Sequence, residues 1–294
     1  MTPQLAVLGL PIEHSKSPLI HSAAYAELGF DWSYSAIPCD VADLEGFLAS
    51  SGPERTGYSL TMPLKEEAHR LAAVLDPVAR ESGVANTLLR LSGNVGWAGF
   101  NTDVAGLAAA LSDAGLDASH TIVIGSGATA VSAILAARKN GAERVSLLAR
   151  NPEVATALIE RFAGRTEPGS DVSLQMDTLT PTALRADPAA GGLTSSGTLV
   201  ISTLPGPASR NLEVPDALTQ IPLFDVAYDP WPSPLAVRWR EAGGRAVSGL
   251  GMLVAQALIQ IRIFQHGNPE TPLPKEGEVL AVMRRALDSV SMGE

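Results

Sequence analysis

The chain has 294 residues, 46% of them hydrophobic and 18% charged, a balance that excludes a disordered chain and gives enough core for one large domain or two modest ones. Its formal net charge of −10 excludes a broad nucleic-acid or anionic-membrane surface, because both need clustered positive charge. Cys39 is the only cysteine, so no internal disulfide forms and a reducing cytoplasm is the expected compartment; the N-terminus lacks a basic-then-apolar leader, and the apolar runs are too short to span a bilayer.

Short apolar runs alternate with longer amphipathic ones. Leu5–Leu8 reads as a strand and Pro18–Leu28 as a helix ended by Gly29. Trp32–Ile37 alternates like a strand, Val41–Ala49 like a helix, and Tyr58–Thr61 like a strand. Pro63–Leu75 reads as a helix with proline in its tolerated first position. Val84–Leu91 and Asn94–Gly99 read as paired strands around a Ser-Gly turn, and Asp103–Ala114 as the next helix. A second series follows, with strand Thr121–Ile124, helix Ala128–Asn140, and strands Arg144–Leu148, Leu199–Ser202 and Leu223–Val226. Asp187–Gly197, rich in Ala, Gly, Ser and Thr, reads as a loose loop without chemistry. Gly251–Phe264 is a strongly apolar helix and Lys275–Val290 an amphipathic one. The alternation predicts an α/β layer architecture.

Thr121–Ile124 leads into Gly125-Ser126-Gly127-Ala128-Thr129-Ala130, a G-x-G-x-x-A run that follows a strand and opens a helix. The first glycine permits the tight turn, the second lets backbone approach a pyrophosphate, and Ala130 is small enough for close helix packing. The helix start offers free N–H groups to phosphates. A tight turn needs no ligand, but the strand–helix–strand context favours a dinucleotide site. The following strand ends Leu148-Ala149-Arg150-Asn151, where an NAD-binding fold carries an acid; the nearest one here is Glu153. Arg150 suits the 2′-phosphate of NADP instead.

Polar groups also gather at the strand ends of the first half. His14-Ser15-Lys16-Ser17-Pro18 sets two hydroxyls two residues apart beside a helix start. Thr61 ends a strand, and Lys65 falls in a first helical turn, where the helix dipole disfavours a cation. Asn86 stands beside an apolar strand. Asp103 stands at a strand-to-helix junction, where on its own an aspartate reads as an N-cap. The histidines, at 14, 21, 69, 120 and 266, show no metal-ligand spacing, and His14 and His21 read as loop and helix-cap groups. No metal is expected.

In combination these residues resemble the shikimate dehydrogenase family. Its patterns H-S-x-S-P, T-x-P-x-K, A-x-N-T, x-N-T-D and G-x-M-L-x-x-Q are matched, with small variations, by His14–Pro18, Thr61–Lys65, Ala85–Thr87, Asn101–Asp103 and Gly249–Gln256. The resemblance covers nearly the whole chain in family order. It implies an N-terminal α/β substrate domain, residues 1–103 completed by helices in 252–294, plus a Rossmann-like NADP-binding domain, residues 104–251, with the active site in the cleft between them. The implied activity is reversible NADPH-dependent reduction of 3-dehydroshikimate to shikimate, on the route to chorismate and the aromatic amino acids.

The resemblance also implies roles. Ser15 and Ser17 would bind the substrate carboxylate. Thr61, Asn86, Asp103 and Gln256 would bind ring hydroxyls, and Tyr228 would stand near substrate and nicotinamide. Lys65 would be the catalytic acid/base, with Asp103 beside it. Gly125, Ser126, Gly127, Ala128, Thr129, Ala130, Arg150, Thr203, Gly249 and Met252 would serve the cofactor. The chain departs from the family at Ser59, where many members carry Asn, at Ala149 and Asn151 around Arg150, in the Gly-Ser-Gly-Ala loop, at Ser202 and at Ala257. Quinate as a further substrate, NAD as cofactor, and a monomer or homodimer stay open from sequence. A non-catalytic dinucleotide- or shikimate-binding protein is the other class, and Lys65 with Asp103 argue against it. No partner beyond the small-molecule substrate is expected.

Overall fold

The computed structural model describes residues 2–180, 198–210, 212, 214 and 216–291; the loop expected over 187–197 lies outside them. The chain divides into two compact units, Met1–Gly106 with Leu253–Glu294, and Leu107–Met252. Each is built on a sheet with helices between its strands, the α/β class that the alternation predicts. No helix among the described residues is long and apolar enough to cross a membrane.

In the first unit the strands are β1 (Gln4–Gly9), β2 (Ser33–Pro38), β3 (Arg55–Leu60), β4 (Val74–Leu75), β5 (Thr87–Arg90) and β6 (Trp97–Phe100), in sheet order β2-β1-β3-β5-β6-β4. Leu5, Ala6, Val7 and Leu8 are all buried, as a continuous apolar run must be in a parallel strand covered on both faces. β1 runs parallel to β2 and β3, whereas β5 is antiparallel to both β3 and β6. β6 therefore points the same way as β3. The exits of β1, β3 and β6 and the entry of β5 fall at one end of the sheet, and the polar loops named above leave from that end.

The helix expected over Pro63–Leu75 is shorter than its pattern. It spans Lys65–Leu71, so Pro63 precedes it, and Val74–Leu75 pair with β6 instead. The Ala73 N–H donates to the Trp97 carbonyl at 2.8 Å and the Asp76 N–H to Gly99 at 2.9 Å, so tertiary pairing overrides the local helical pattern. The Val84–Leu91 and Asn94–Gly99 strands narrow to β5 and β6, antiparallel as expected. The turn between them, Ser92–Asn94 and beyond, uses Gly93 at φ 76° and Gly96 at φ 116°.

In the second unit β7 (His120–Ile124), β8 (Arg144–Leu148), β9 (Gln175–Thr178), β10 (Thr198–Ser202), β11 (Leu223–Asp225) and β12 (Ala246–Ser248) form an all-parallel sheet in order β12-β11-β10-β7-β8-β9. The chain moves outward from β7 to β8 and β9, then returns to β10 on the other side. That reversal places a topological switch point between β7 and β10, where open parallel sheets bind ligands beyond their strand ends. The core packs Ile122, Ile124, Val200, Leu223 and Leu235 against Trp239, which is wholly buried with its indole N–H donated to the Ile221 carbonyl at 2.7 Å.

Candidate functional site

The loop after β1 leaves beside the end of β3. A Cβ at Gly9 would collide with Thr61 Cγ2, so glycine there lets the two exits close together. The Thr61 N–H donates to the Leu8 carbonyl at 2.9 Å. Further along the loop the Ser17 N–H donates to Ser15 Oγ at 3.3 Å, which draws the two serines into one turn at the start of helix Ser17–Leu28. The hydroxyls of Ser15, Ser17 and Thr61 donate to no other described residue.

Lys65 is the first residue of its helix, and its carbonyl accepts from the Ala85 N–H at 2.9 Å, tying it to the segment that carries Asn86. Its Nζ lies 2.6 Å from Asp103 Oδ2, with side-chain exposures of 12% and 6%. Asp103 is not the helix cap that it resembles in isolation. Asn101 Oδ1 accepts the Asp103 N–H at 3.1 Å, which leaves the Asp103 carboxylate free to face Lys65. Its other oxygen accepts from Asn86 Nδ2 at 2.9 Å. Gln256 presents Oε1 to Thr102 Oγ1 at 3.4 Å and donates Nε2 to the Leu253 carbonyl at 2.8 Å. Gly106 makes this approach possible, because a Cβ there would lie 2.6 Å from Gln256 Cβ.

The first unit thus brings together Lys65, Asp103, Asn86 and Gln256, all buried or nearly so. It adds Thr102, whose hydroxyl accepts from Asn86 Nδ2 at 2.9 Å and which sequence reasoning missed. Ser59 is 4% exposed and engaged on both sides, accepting from Tyr34 Oη at 2.7 Å and donating to Gln260 Oε1 at 2.8 Å. His21 is no helix cap. It is fully buried, stacks on Tyr34 with ring centroids 3.9 Å apart, and has Nδ1 3.1 Å from the Tyr25 hydroxyl. Burial holds it neutral, with its pKa lowered to about 3.

In the second unit the candidate cofactor residues stand at the strand exits. Gly125 adopts φ 120°, a conformation suited to glycine, and a Cβ there would strike Thr203 Oγ1. Thr203 donates that hydroxyl to the Ile124 carbonyl at 2.9 Å, bridging β10 to β7 at the switch point. Gly127 is the extended N-cap of helix Ala128–Lys139, with no side-chain cap and open space where a Cβ would stand. Ser126, Ala128 and Thr129 line the same turn, and Ala130 is wholly buried. Uncapped first-turn N–H groups beside open space fit a pyrophosphate.

Arg150 follows β8 and is exposed, with no hydrogen bond or ion pair to another described residue. Asn151 caps the helix Pro152–Phe162, its Oδ1 accepting from the N–H groups of Glu153 at 3.0 Å and Val154 at 3.4 Å. The acid nearest the strand end, Glu153, is thereby held in that helix's first turn. The free guanidinium fits a phosphate better than a bare ribose hydroxyl.

Tyr228 lies beyond β11 in a loop organised by Asp225. That buried carboxylate accepts from the Ala227 N–H at 3.2 Å and the Ser233 hydroxyl at 2.5 Å, and burial raises its pKa. Gly249, after β12, approaches the Val226 carbonyl more closely than any Cβ allows. Met252 is buried one turn before Gln256 on the helix Leu250–His266.

Residues 7–88 match the family model for the shikimate dehydrogenase substrate binding domain. The chain is 31% identical over 290 residues to shikimate dehydrogenase (NADP(+)) of Brucella abortus (strain S19), covering 95% of this chain and 94% of that protein. The crystal structure of Mycobacterium tuberculosis shikimate dehydrogenase is similar at a TM-score of 0.77 and 36% identity, covering 98% of this chain and 99% of that one. Shikimate 5-dehydrogenase of Thermus thermophilus, solved in complex with NADP(H) and shikimate, is similar at a TM-score of 0.77 and 28% identity, covering 97% of this chain and 100% of that one.

Proposed function

The chain belongs to the shikimate dehydrogenase family, and on that premise we propose that it performs the family's reaction through the cluster around Lys65. The reaction is the reversible reduction of 3-dehydroshikimate to shikimate with NADPH. The observation that carries the assignment of residues is the 2.6 Å contact between Lys65 Nζ and Asp103 Oδ2 at the loop-bearing end of the first sheet.

The substrate is a small carboxylate with ring oxygens, and the loops offer donors for each part. Ser15 and Ser17, in one turn, hold the carboxylate through their hydroxyls. Thr61, Asn86 and Gln256 receive ring hydroxyls, and Tyr228 borders the reacting carbon. The turn Gly125–Ala130, Thr203, Gly249 and Met252 hold NADPH, with Arg150 on the 2′-phosphate. The bound cofactor supplies the hydride.

The ketone oxygen gains negative charge as its carbon is reduced. Lys65 donates a hydrogen bond to that oxygen and then its proton, completing the C–OH group. In the oxidative direction the lysine amine takes the same proton back. Asp103 fixes the ammonium and, through its other oxygen, is itself fixed by Asn86. Solvent then returns the proton to Lys65. The lone cysteine supports a cytoplasmic site of action. The test is to mix the protein with NADPH and 3-dehydroshikimate and follow the reduced nicotinamide's absorbance. Its loss in step with shikimate formed is expected; no turnover overturns the reading.

A further inference from the structure

Asn86 is the residue through which the ion pair meets the rest of the first unit, and its orientation is decided by one backbone group. The Thr102 N–H can only donate, and it points at Asn86 Oδ1 at 2.9 Å. The amide nitrogen therefore faces Asp103. From that fixed point every other hydrogen follows in turn. Thr87 Oγ1, 2.9 Å from Asn86 Oδ1, must donate to it. The Thr87 oxygen then accepts, and its partner at 3.1 Å is Gln260 Nε2. Gln260 so oriented turns Oε1 toward Ser59, which donates to it at 2.8 Å and accepts from the Tyr34 hydroxyl at 2.7 Å.

The result is a one-directional relay. Tyr34 donates to Ser59 and Ser59 to Gln260. Gln260 donates to Thr87, Thr87 to Asn86, and Asn86 to the carboxylate that holds Lys65. Every member is buried, with Gln260 at 2% and Thr87 at 0% exposure. Only an amide at 260 serves both sides, since it accepts with one atom and donates with the other. A buried glutamine inside the otherwise apolar run Ala257–Ile261 is costly unless both ends are satisfied, and here both are.

We propose that Gln260 is a positioning residue for the Lys65–Asp103 pair, acting through Thr87 and Asn86 and touching no substrate. The inference rests on the acid–base reading of Lys65. Removing the amide frees the Thr87 hydroxyl to turn and takes one restraint from Asn86 Oδ1, the far end of the amide whose nitrogen holds Asp103. Turnover then suffers while substrate affinity does not.

The test uses Gln260→Met, Lys65→Met and the double variant, with kcat and the KM for shikimate measured at saturating NADP. Gln260→Met is expected to lower kcat by about tenfold, the scale on which outer hydrogen-bond partners of reacting groups act, with KM within about twofold of native. In the Lys65→Met background it should lower kcat no further, because its effect passes through Lys65. If Gln260→Met does not fold, Thr87→Val breaks the same relay and is read the same way. Native kcat in the Gln260→Met protein, or an equal loss in both backgrounds, overturns the proposal. Native turnover in Lys65→Met alone is the distinct result that overturns the acid–base reading and the relay's purpose with it.

Discussion

Replacing Lys65 with methionine keeps the unbranched stem of the side chain and removes the terminal amino group, with its charge and its proton. The lysine side chain is 12% exposed, and its ammonium lies 2.6 Å from the carboxylate of an aspartate side chain that is 6% exposed, so two effects separate. The first is on rate. A positioned general acid contributes about 10²–10⁴-fold, and with the donors at Ser15, Ser17, Asn86 and Gln256 untouched, kcat should fall within that range. Shikimate affinity should change by less than about threefold. The second effect is on stability. Breaking a buried pair by deleting one partner costs about 3–5 kcal/mol, because the remaining charge is stranded. Asp103 keeps the Asn86 amide and a place in a helix's first turn, where the backbone favours a negative charge. The loss should therefore sit near the low end, about 3 kcal/mol. Urea unfolding gives the stability term, and steady-state kinetics on the folded fraction gives kcat and KM. A folded Lys65→Met protein with near-native kcat refutes the assignment, and one whose loss lies wholly in KM makes Lys65 a binding group.

Arg150→Ala should lower kcat/KM for NADP by about tenfold or somewhat more, the low end of what a charge-assisted hydrogen bond contributes, since the guanidinium is exposed. NAD use should change less than about twofold, because the glycine turn serves both cofactors; equal losses with both at one ionic strength would make Arg150 an ordinary surface residue. Changing Ser15 and Ser17 together to alanine should raise the KM for shikimate strongly while barely affecting an analogue without the carboxylate, and unchanged discrimination between the two ligands sinks that role. His21 should make the fold acid-sensitive. Its folded pKa, lowered to about 3 by burial, lies below the unfolded value of about 6.5, so the unfolded chain binds the extra proton and stability falls as pH drops below that value. By pH 5 this group alone should remove on the order of 2 kcal/mol. His21→Gln should lose correspondingly less between pH 7 and pH 5 in urea unfolding, and equal losses in both proteins would refute it.

The sequence made legible whatever depends on neighbours in the chain. The turn Gly125–Ala130 needs only a strand before it and a helix after it, and both are present. Lys65, Asn86 and Asp103 stand out at strand ends, and sheet direction does the rest by turning those ends to one side. What stayed hidden depends on contacts between distant segments. Val74–Leu75 continue a helical pattern, and only the presence of β6 makes them a strand. Gln260 is visible as a polar residue in an apolar helix, but its partner Ser59 lies 201 positions away. His21 has the composition of a loop or cap residue, and it takes the aromatic faces of Tyr25 and Tyr34 to make it core. Gly106 looks like a weak spot in a helix until Gln256 is found against it.

The central claim is that the loop-bearing end of the first sheet holds shikimate with its reacting oxygen on Lys65. A crystal structure of the protein with shikimate and NADP bound tests this most directly. The carboxylate should accept from the Ser15 and Ser17 hydroxyls, and the hydroxyl that oxidation turns into the ketone should lie within hydrogen-bond distance of Lys65 Nζ. Shikimate bound away from these residues, or reversed so that its carboxylate meets Lys65, would contradict the account.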